Sequence, residues 1–214
     1  MIDRLHYISP LNSQLKAIEM VLLAGGKWIQ LRVKNQTEDE VLALAIEAVA
    51  LCKKHGAKLI INDYPLVALK AGADGVHLGL DDMPIAEART ILGPEMIIGG
   101  TANTLAHIQL IVDEGADYIG LGPYRFTSTK KNLSPIIGLE GYVSLMKQAK
   151  DIGIKTPVIA IGGIETTDIS ALIAAGVYGI AISGALTTHP EHTPVIQNLV
   201  HFLLRNSEQS LNLT

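Results

Sequence analysis

Residues 71–79 read AGADGVHLG, and residues 114–122 read EGADYIGLG. The phrase recurs at 24–32 as AGGKWIQLR and at 175–183 as AGVYGIAIS. Each copy has a glycine closing a helical pattern, two connecting residues and an apolar run. Glycine supplies the left-handed conformation that ends a helix, and the run behind it is short and β-rich enough for a strand. The phrase is a helix-to-strand joint, and its recurrence predicts helices alternating with strands along the chain.

Between the joints lie segments with i, i+3, i+4 apolar spacing. In TEDEVLALAIEAVALCKKHG, residues 37–56, Thr37 and Glu40 form a capping-box pattern and Gly56 is the stop. The strand candidates are RLHYIS, WIQLRV, KLIIND, GVHLG, MIIGG, DYIGLG, PVIAIGG and YGIAIS, each followed by a helical pattern. Runs apolar on both faces suit parallel strands covered by helices. Eight βα units within 214 residues therefore predict a single α/β domain, a (β/α)8 TIM barrel over 1–205. A doubly wound sheet usually stops at about five or six strands and carries a Gly-rich first turn, which ISPLNSQ does not supply. Residues 206–214 read as a polar C-terminal tail.

A composition 48% hydrophobic and 18% charged suits one packed core. No apolar stretch approaches the ~20 residues of a membrane span, and MIDRLHYISP lacks the blocks of a signal peptide. A cytoplasmic protein without a membrane partner is expected. The net charge of −4 and the lack of a basic stripe with interleaved aromatics argue against nucleic acid. Small molecules remain as partners, and a homo-oligomer is compatible with the sequence. The single cysteine, Cys52, reads as a small helix-face hydrophobe rather than a nucleophile.

In such a barrel the carboxyl ends of the strands form the catalytic rim. Gln30, Arg32 and Lys34 end the second strand, Asn62 and Asp63 the third, and His77 followed by Asp81 and Asp82 the fourth. Thr101 ends the fifth. The sixth runs into GPYRFTSTKKN, the seventh ends in Gly162 and Gly163, and the eighth in Ser183. Gln30, Arg32 and Lys34 share a side by the period of two, and a buried Arg32 must meet an anion. That anion is either a phosphorylated ligand, which guanidinium matches bidentately, or a structural partner such as Asp63. Asp63 and Asp82, on adjacent strands, repel unless a cation lies between them; oxygen ligands beside phosphate-binding cations favour Mg²⁺. The competing reading makes Asp82 a cap on the helix near Pro84. His77 reads as a satisfied core group, having no His or Cys at metal spacing. IGGIETTDIS places two glycines before a helix capped by Thr166 or Thr167, a monophosphate cradle that Ser183 would face.

With its QLRVK, IIND, HLGLDD and TSTK motifs in this order, the chain resembles the thiamine phosphate synthase family from YIS near the start to GIAIS. The resemblance implies that Gln30, Arg32, Lys34, Asn62, Thr101 and Lys130 hold a pyrimidine diphosphate. It implies that Asp63 and Asp82 bind Mg²⁺, and that Thr127, Ser128, Thr129, Gly163, Ile182 and Ser183 hold a thiazole phosphate. Arg32, Lys34 and Lys130 would stabilise charge on departing pyrophosphate, and Lys131 would add to that field or be solvated. Leu80 stands where the family usually has Gln, and Thr101 where it usually has Ser. Arg125 is either an extra phosphate contact or an exposed charge. The rivals are a thiazole tautomerase on the same barrel, whose acid/base histidine would align with Asn103, and a non-catalytic barrel that binds thiamine precursors.

Overall fold

The computed structural model describes residues 2–126, 135–188 and 192–211, with side chains as far as Leu203. Eight strands alternate with helices: β1 (Leu5–Ile8), β2 (Trp28–Leu31), β3 (Lys58–Asn62), β4 (Gly75–Leu78), β5 (Ile97–Ala102), β6 (Tyr118–Leu121), β7 (Val158–Ala160) and β8 (Gly179–Ile182). They pair in parallel in chain order, and β8 closes on β1. The helices are α1 (Gln14–Leu23), α2 (Glu38–Lys54), α3 (Pro65–Ala71), α4 (Ile85–Leu92), α5 (Leu105–Asp113), α6 (Gly138–Asp151), α7 (Ile169–Ala174), α8 (Gly184–Thr187) and α9 (His192–Leu211). The expected barrel is present, with two helices rather than one behind β8. Helix α9 runs into the stretch 206–214 that the sequence assigns to a tail. No described helix is long and apolar enough to cross a membrane.

The repeated phrase acts as its residues dictate. Gly25, Gly72, Gly115 and Gly176 all have φ between 67° and 100°, and each is followed by two residues and a strand. In two copies the aspartate adds a tie. Asp74 accepts from the Leu59 amide of β3 at 2.8 Å, and Asp117 from the Ile98 amide of β5 at 2.8 Å. The Thr37 capping box on α2 is formed, with the Thr37 amide donating to Glu40 Oε2 at 2.8 Å.

Alternate strand residues separate two apolar layers. Inside the barrel Ile8, Trp28, Ile60, Tyr118, Ile159 and Ala181 pack together, while the larger core lies between strands and helices. Cys52 belongs to that outer core, and burial, with Asp74 nearby, pushes its thiol up to about 12. A thiol so protonated is a packing group, as its sequence context predicts.

Candidate active site

The β2 to β4 side of the mouth is ionic. β2 delivers Gln30, 2% exposed, and directs the chain to Arg32, whose amide donates to Ser9 Oγ at 2.9 Å. Burial lowers the pKa of the Arg32 guanidinium, and the charge of Asp63 opposes that shift. The ion pair to Asp63 is made by Lys34 through its Nζ. Asp63 has φ 69°, a left-handed conformation uncommon outside glycine, and its amide donates to the His77 carbonyl at 2.9 Å. This bend turns the carboxylate from β3 toward the β4 loop.

There it meets Asp82, whose carboxyl is raised above the usual range. Burial is the largest cause, the Gly79 amide opposes it, and Asp63 raises it further by charge and by a shared hydrogen bond. Asp82 Oδ2 accepts from the Gly79 amide at 2.6 Å, so it closes the β4 loop; α4 has Pro84 at its cap position and no side-chain cap. Two facing carboxylates with Lys34 beside one of them form a site for positive charge. Two oxygens from protein with phosphate oxygens making up the rest is a donor set that Mg²⁺ accepts, so these residues fit that ion. Leu80 lies in the same loop, 43% exposed.

Under this rim His77 joins three strands. Its Nδ1 is 3.0 Å from the Tyr118 hydroxyl on β6, and its Nε2 is 3.0 Å from Thr101 Oγ1 on β5. The core-group reading of His77 therefore fits the structure, with the addition that one partner is a candidate substrate residue. Asn62 is buried on β3, in register with His77.

The β6 to β8 side is built from backbone. Gly162 and Gly163 follow β7 with φ 94° and 68°, and a Cβ on Gly163 would come within 2.9 Å of the Phe126 carbonyl and 3.0 Å of that of Arg125. The chain after β6 runs against this loop, the Tyr124 amide donating to Ile161 and the Arg125 amide to Gly162. Arg125 is thus a paired charge whose side chain stays 42% exposed. Its guanidinium donates to Asp168 Oδ2 at 2.8 Å, to Asp168 Oδ1 at 2.9 Å and to the Gly163 carbonyl at 2.8 Å. The expected Thr166 or Thr167 cap is replaced: a 3-10 turn spans Thr166–Asp168, and Asp168 Oδ2 accepts from the Glu165 amide at 2.8 Å. Burial alone would raise the Asp168 carboxyl, but Arg125 and the Glu165 amide outweigh it and hold it below its usual range. Ile182 is buried, so only its backbone can face a ligand, and the Ser183 carbonyl accepts from Leu186 and Thr187.

Thr127, Ser128, Thr129, Lys130 and Lys131 lie outside the described residues. Asn103 Nδ2 donates to the Gly122 carbonyl at 3.1 Å and to the Pro135 carbonyl at 3.0 Å. Sequence reading missed Ser9, Tyr118 and Asp168, and placed Asn103 only as the position of a rival's histidine. Only the Asp168 pairing had a local signal, an acid three residues after Glu165 in a capping-box arrangement.

Comparison with known proteins agrees with this geometry. A family model described as thiamine monophosphate synthase matches residues 5–186. A thiamine-phosphate synthase of Flavobacterium johnsoniae is 51% identical over 209 residues, 96% of this chain and 99% of that protein. One of Bacteroides fragilis is 52% identical over 179 residues, 84% of this chain and 88% of that protein. A solved thiamine phosphate pyrophosphorylase from Pyrococcus furiosus superimposes with a TM-score of 0.82 at 30% identity, covering 94% of this chain and 96% of that one. The strand-end acids, cations and glycines thus sit on a barrel matched over nearly its whole length, and the chain belongs to the thiamine monophosphate synthase family.

Proposed function

We propose that this chain is a thiamine-phosphate synthase. It joins 4-amino-2-methyl-5-(diphosphooxymethyl)pyrimidine to thiazole phosphate, giving thiamine phosphate and pyrophosphate. The observation that carries this reading is the meeting of Asp63 and Asp82 beside Lys34 and Arg32 at one mouth of the barrel. Such a set suits a diphosphate with a divalent cation.

Asp63 and Asp82 would hold Mg²⁺, which when bound neutralises charge on the diphosphate. Arg32 and Lys34 bind the same oxygens and stabilise the negative charge that grows as the methylene carbon–oxygen bond breaks. The electron-rich aminopyrimidine bears the cationic carbon left behind. Gly163 and Ser183 hold the second substrate by its phosphate and place the thiazole nitrogen in line, where its lone pair forms the new carbon–nitrogen bond. No general base is required, since that nitrogen has no proton to lose. Lys130 and the hydroxyls of 127–129 complete the two anion sites in this reading.

The tautomerase alternative is weakened by Asn103, whose amide is engaged by two carbonyls where that enzyme would need an acid/base. The test is to mix both substrates with the purified protein and Mg²⁺. Release of pyrophosphate with thiamine phosphate is expected. Tight binding of either substrate without product would favour the non-catalytic reading, and isomerisation of the thiazole alone would favour the tautomerase.

A further inference from the structure

The glycine loop behind β7 is gripped along one edge. The carbonyls of Ile161, Gly162 and Gly163 all point to the chain that leaves β6. The first accepts from the Tyr124 amide at 2.9 Å, the second from the Arg125 amide at 3.0 Å and the third from Arg125 Nη1 at 2.8 Å. In a regular strand successive carbonyls alternate sides. Here the positive φ of Gly162 and Gly163 cancels the alternation. A trans peptide sets each carbonyl opposite the next amide, so the amides of Gly162, Gly163 and Ile164 turn away from β6 and toward β8, which lies on the other side of β7. Among the described residues none accepts from these amides. Successive unpaired amides make a concavity suited to an anion.

Backbone holds the first two carbonyls, but the Gly163 carbonyl is held by the Arg125 side chain, and Asp168 aims that side chain. Both hydrogens of Nη1 are used, one on Gly163 and one on Asp168 Oδ2 at 2.8 Å, while Nη2 meets Asp168 Oδ1 at 2.9 Å. The guanidinium also lies over the Tyr124 ring, 5.1 Å from its centroid. Asp168 is fixed in turn by the Glu165 amide at 2.8 Å. Such an arrangement needs a planar fork, which a lysine ammonium lacks. The two stretches also touch directly: a Cβ on Gly162 would fall 2.8 Å from Pro123 Cα.

We propose that Arg125 and Asp168 are positioning residues, a latch that keeps the Gly162, Gly163 and Ile164 amides turned toward β8 so that they receive the phosphate of the second substrate. The proposal rests on the functional reading above. Neither side chain touches that phosphate; with the latch cut, the Gly163–Ile164 peptide is free to rotate, and its amide must be reoriented at the moment of binding. That ordering cost falls on affinity for the phosphorylated thiazole and on nothing at the ionic side of the mouth.

Steady-state kinetics with each substrate varied in turn test this. A pair this exposed adds little to folding, so Arg125→Gln stays folded. Its KM for thiazole phosphate should rise about tenfold, while kcat and the KM for the pyrimidine diphosphate stay within about twofold of the parent. Asp168→Asn should move the same way. Arg125→Lys should match Arg125→Gln rather than the parent, because a restored charge does not restore the fork. An unchanged KM for thiazole phosphate in both Arg125→Gln and Asp168→Asn would overturn the proposal. So would an equal rise in both KM values, which marks general loosening, or full recovery in Arg125→Lys, which marks a charge acting on the phosphate directly. Inorganic phosphate titrated onto ¹⁵N-glycine-labelled protein gives a reading free of turnover. The Gly162 and Gly163 amide resonances should shift in the parent, and Arg125→Gln should need about tenfold more phosphate for the same shift. Parent amides that ignore phosphate would also overturn the proposal. Absence of pyrophosphate release by a parent whose amides do respond would instead remove the reaction and leave the latch standing.

Discussion

In the proposed reading the β2 to β4 side and the β6 to β8 side of the mouth each receive a phosphorylated group, but they are made differently. On the first, charged side chains face one another directly, with Lys34 on Asp63 and Asp63 against Asp82. On the second, Arg125 is paired with Asp168, and the groups proposed to face a phosphate are the backbone of Gly162, Gly163 and Ser183. The difference teaches where each half stores its affinity. Side-chain charge is strong and removable one residue at a time, while backbone is preorganised and vulnerable only through whatever holds it in place.

The sharpest way to break the comparison is to remove a charge from the ionic side. Asp63→Asn should cut turnover about 100-fold or more, the scale of losing a main electrostatic contact in a reacting site. Parent-like rates in Mg²⁺ would remove Asp63 from the metal site. Next, Arg32→Ala should slow kcat/KM for the pyrimidine substrate roughly 10- to 150-fold, as loss of a charge-assisted hydrogen bond implies. Arg32→Lys should recover part of that, and steady-state kinetics at two salt concentrations would show whether screening matters.

A subtler probe strikes the floor common to both sides. Gly99→Ala forces a methyl into the Tyr118 ring and should cost about 1 to 3 kcal/mol of stability, read from denaturant unfolding. The smallest effect is expected on the backbone side. Arg125→Gln removes a partly exposed pair worth about 0.2 to 1 kcal/mol. Because the folded-state pKa of Asp168 is depressed, this contribution is present above its ordinary carboxylate pKa and is lost as pH falls through the depressed value. The parent and Arg125→Gln should therefore differ in melting temperature at neutral pH and converge in acid. A gap that persists in acid would assign the stabilisation to packing instead.

The same contrast governs what could be read before any coordinates. The helix-to-strand phrase carries its own conformation, since its glycine supplies the required positive φ, so four joints were legible locally and the remaining units followed from their apolar runs. The ionic residues were legible because period-two spacing puts Gln30, Arg32 and Lys34 on one side. Their pairing was not: whether Arg32 or Lys34 takes Asp63 depends on side-chain reach and on the left-handed turn at Asp63, which no spacing encodes. Asp82 could be read as a cap equally well, because a carboxylate near a helix start satisfies any nearby amide, and here the nearest is Gly79 behind it. Arg125 and Asp168 lie 43 positions apart, so their pair exists only once β6 and β7 are neighbours. Tyr118 stands inside an apolar run with no local signal of its own, and the space above Gly99 that its ring fills is visible only in the fold.

The aspartates of the repeated phrase reach further than their own turns. Asp74 grips Leu59 three positions before Asn62, and three positions after Asp74 stands His77, the residue aligned with Asn62. Asp117 grips Ile98 three positions before Thr101, which is aligned with Gly120. A strand slipping along its neighbour would tear that carboxylate from its amide at the closed end long before any ligand is present. The alignment of groups that greet a substrate is thus set by registration marks at the opposite pole of the cylinder.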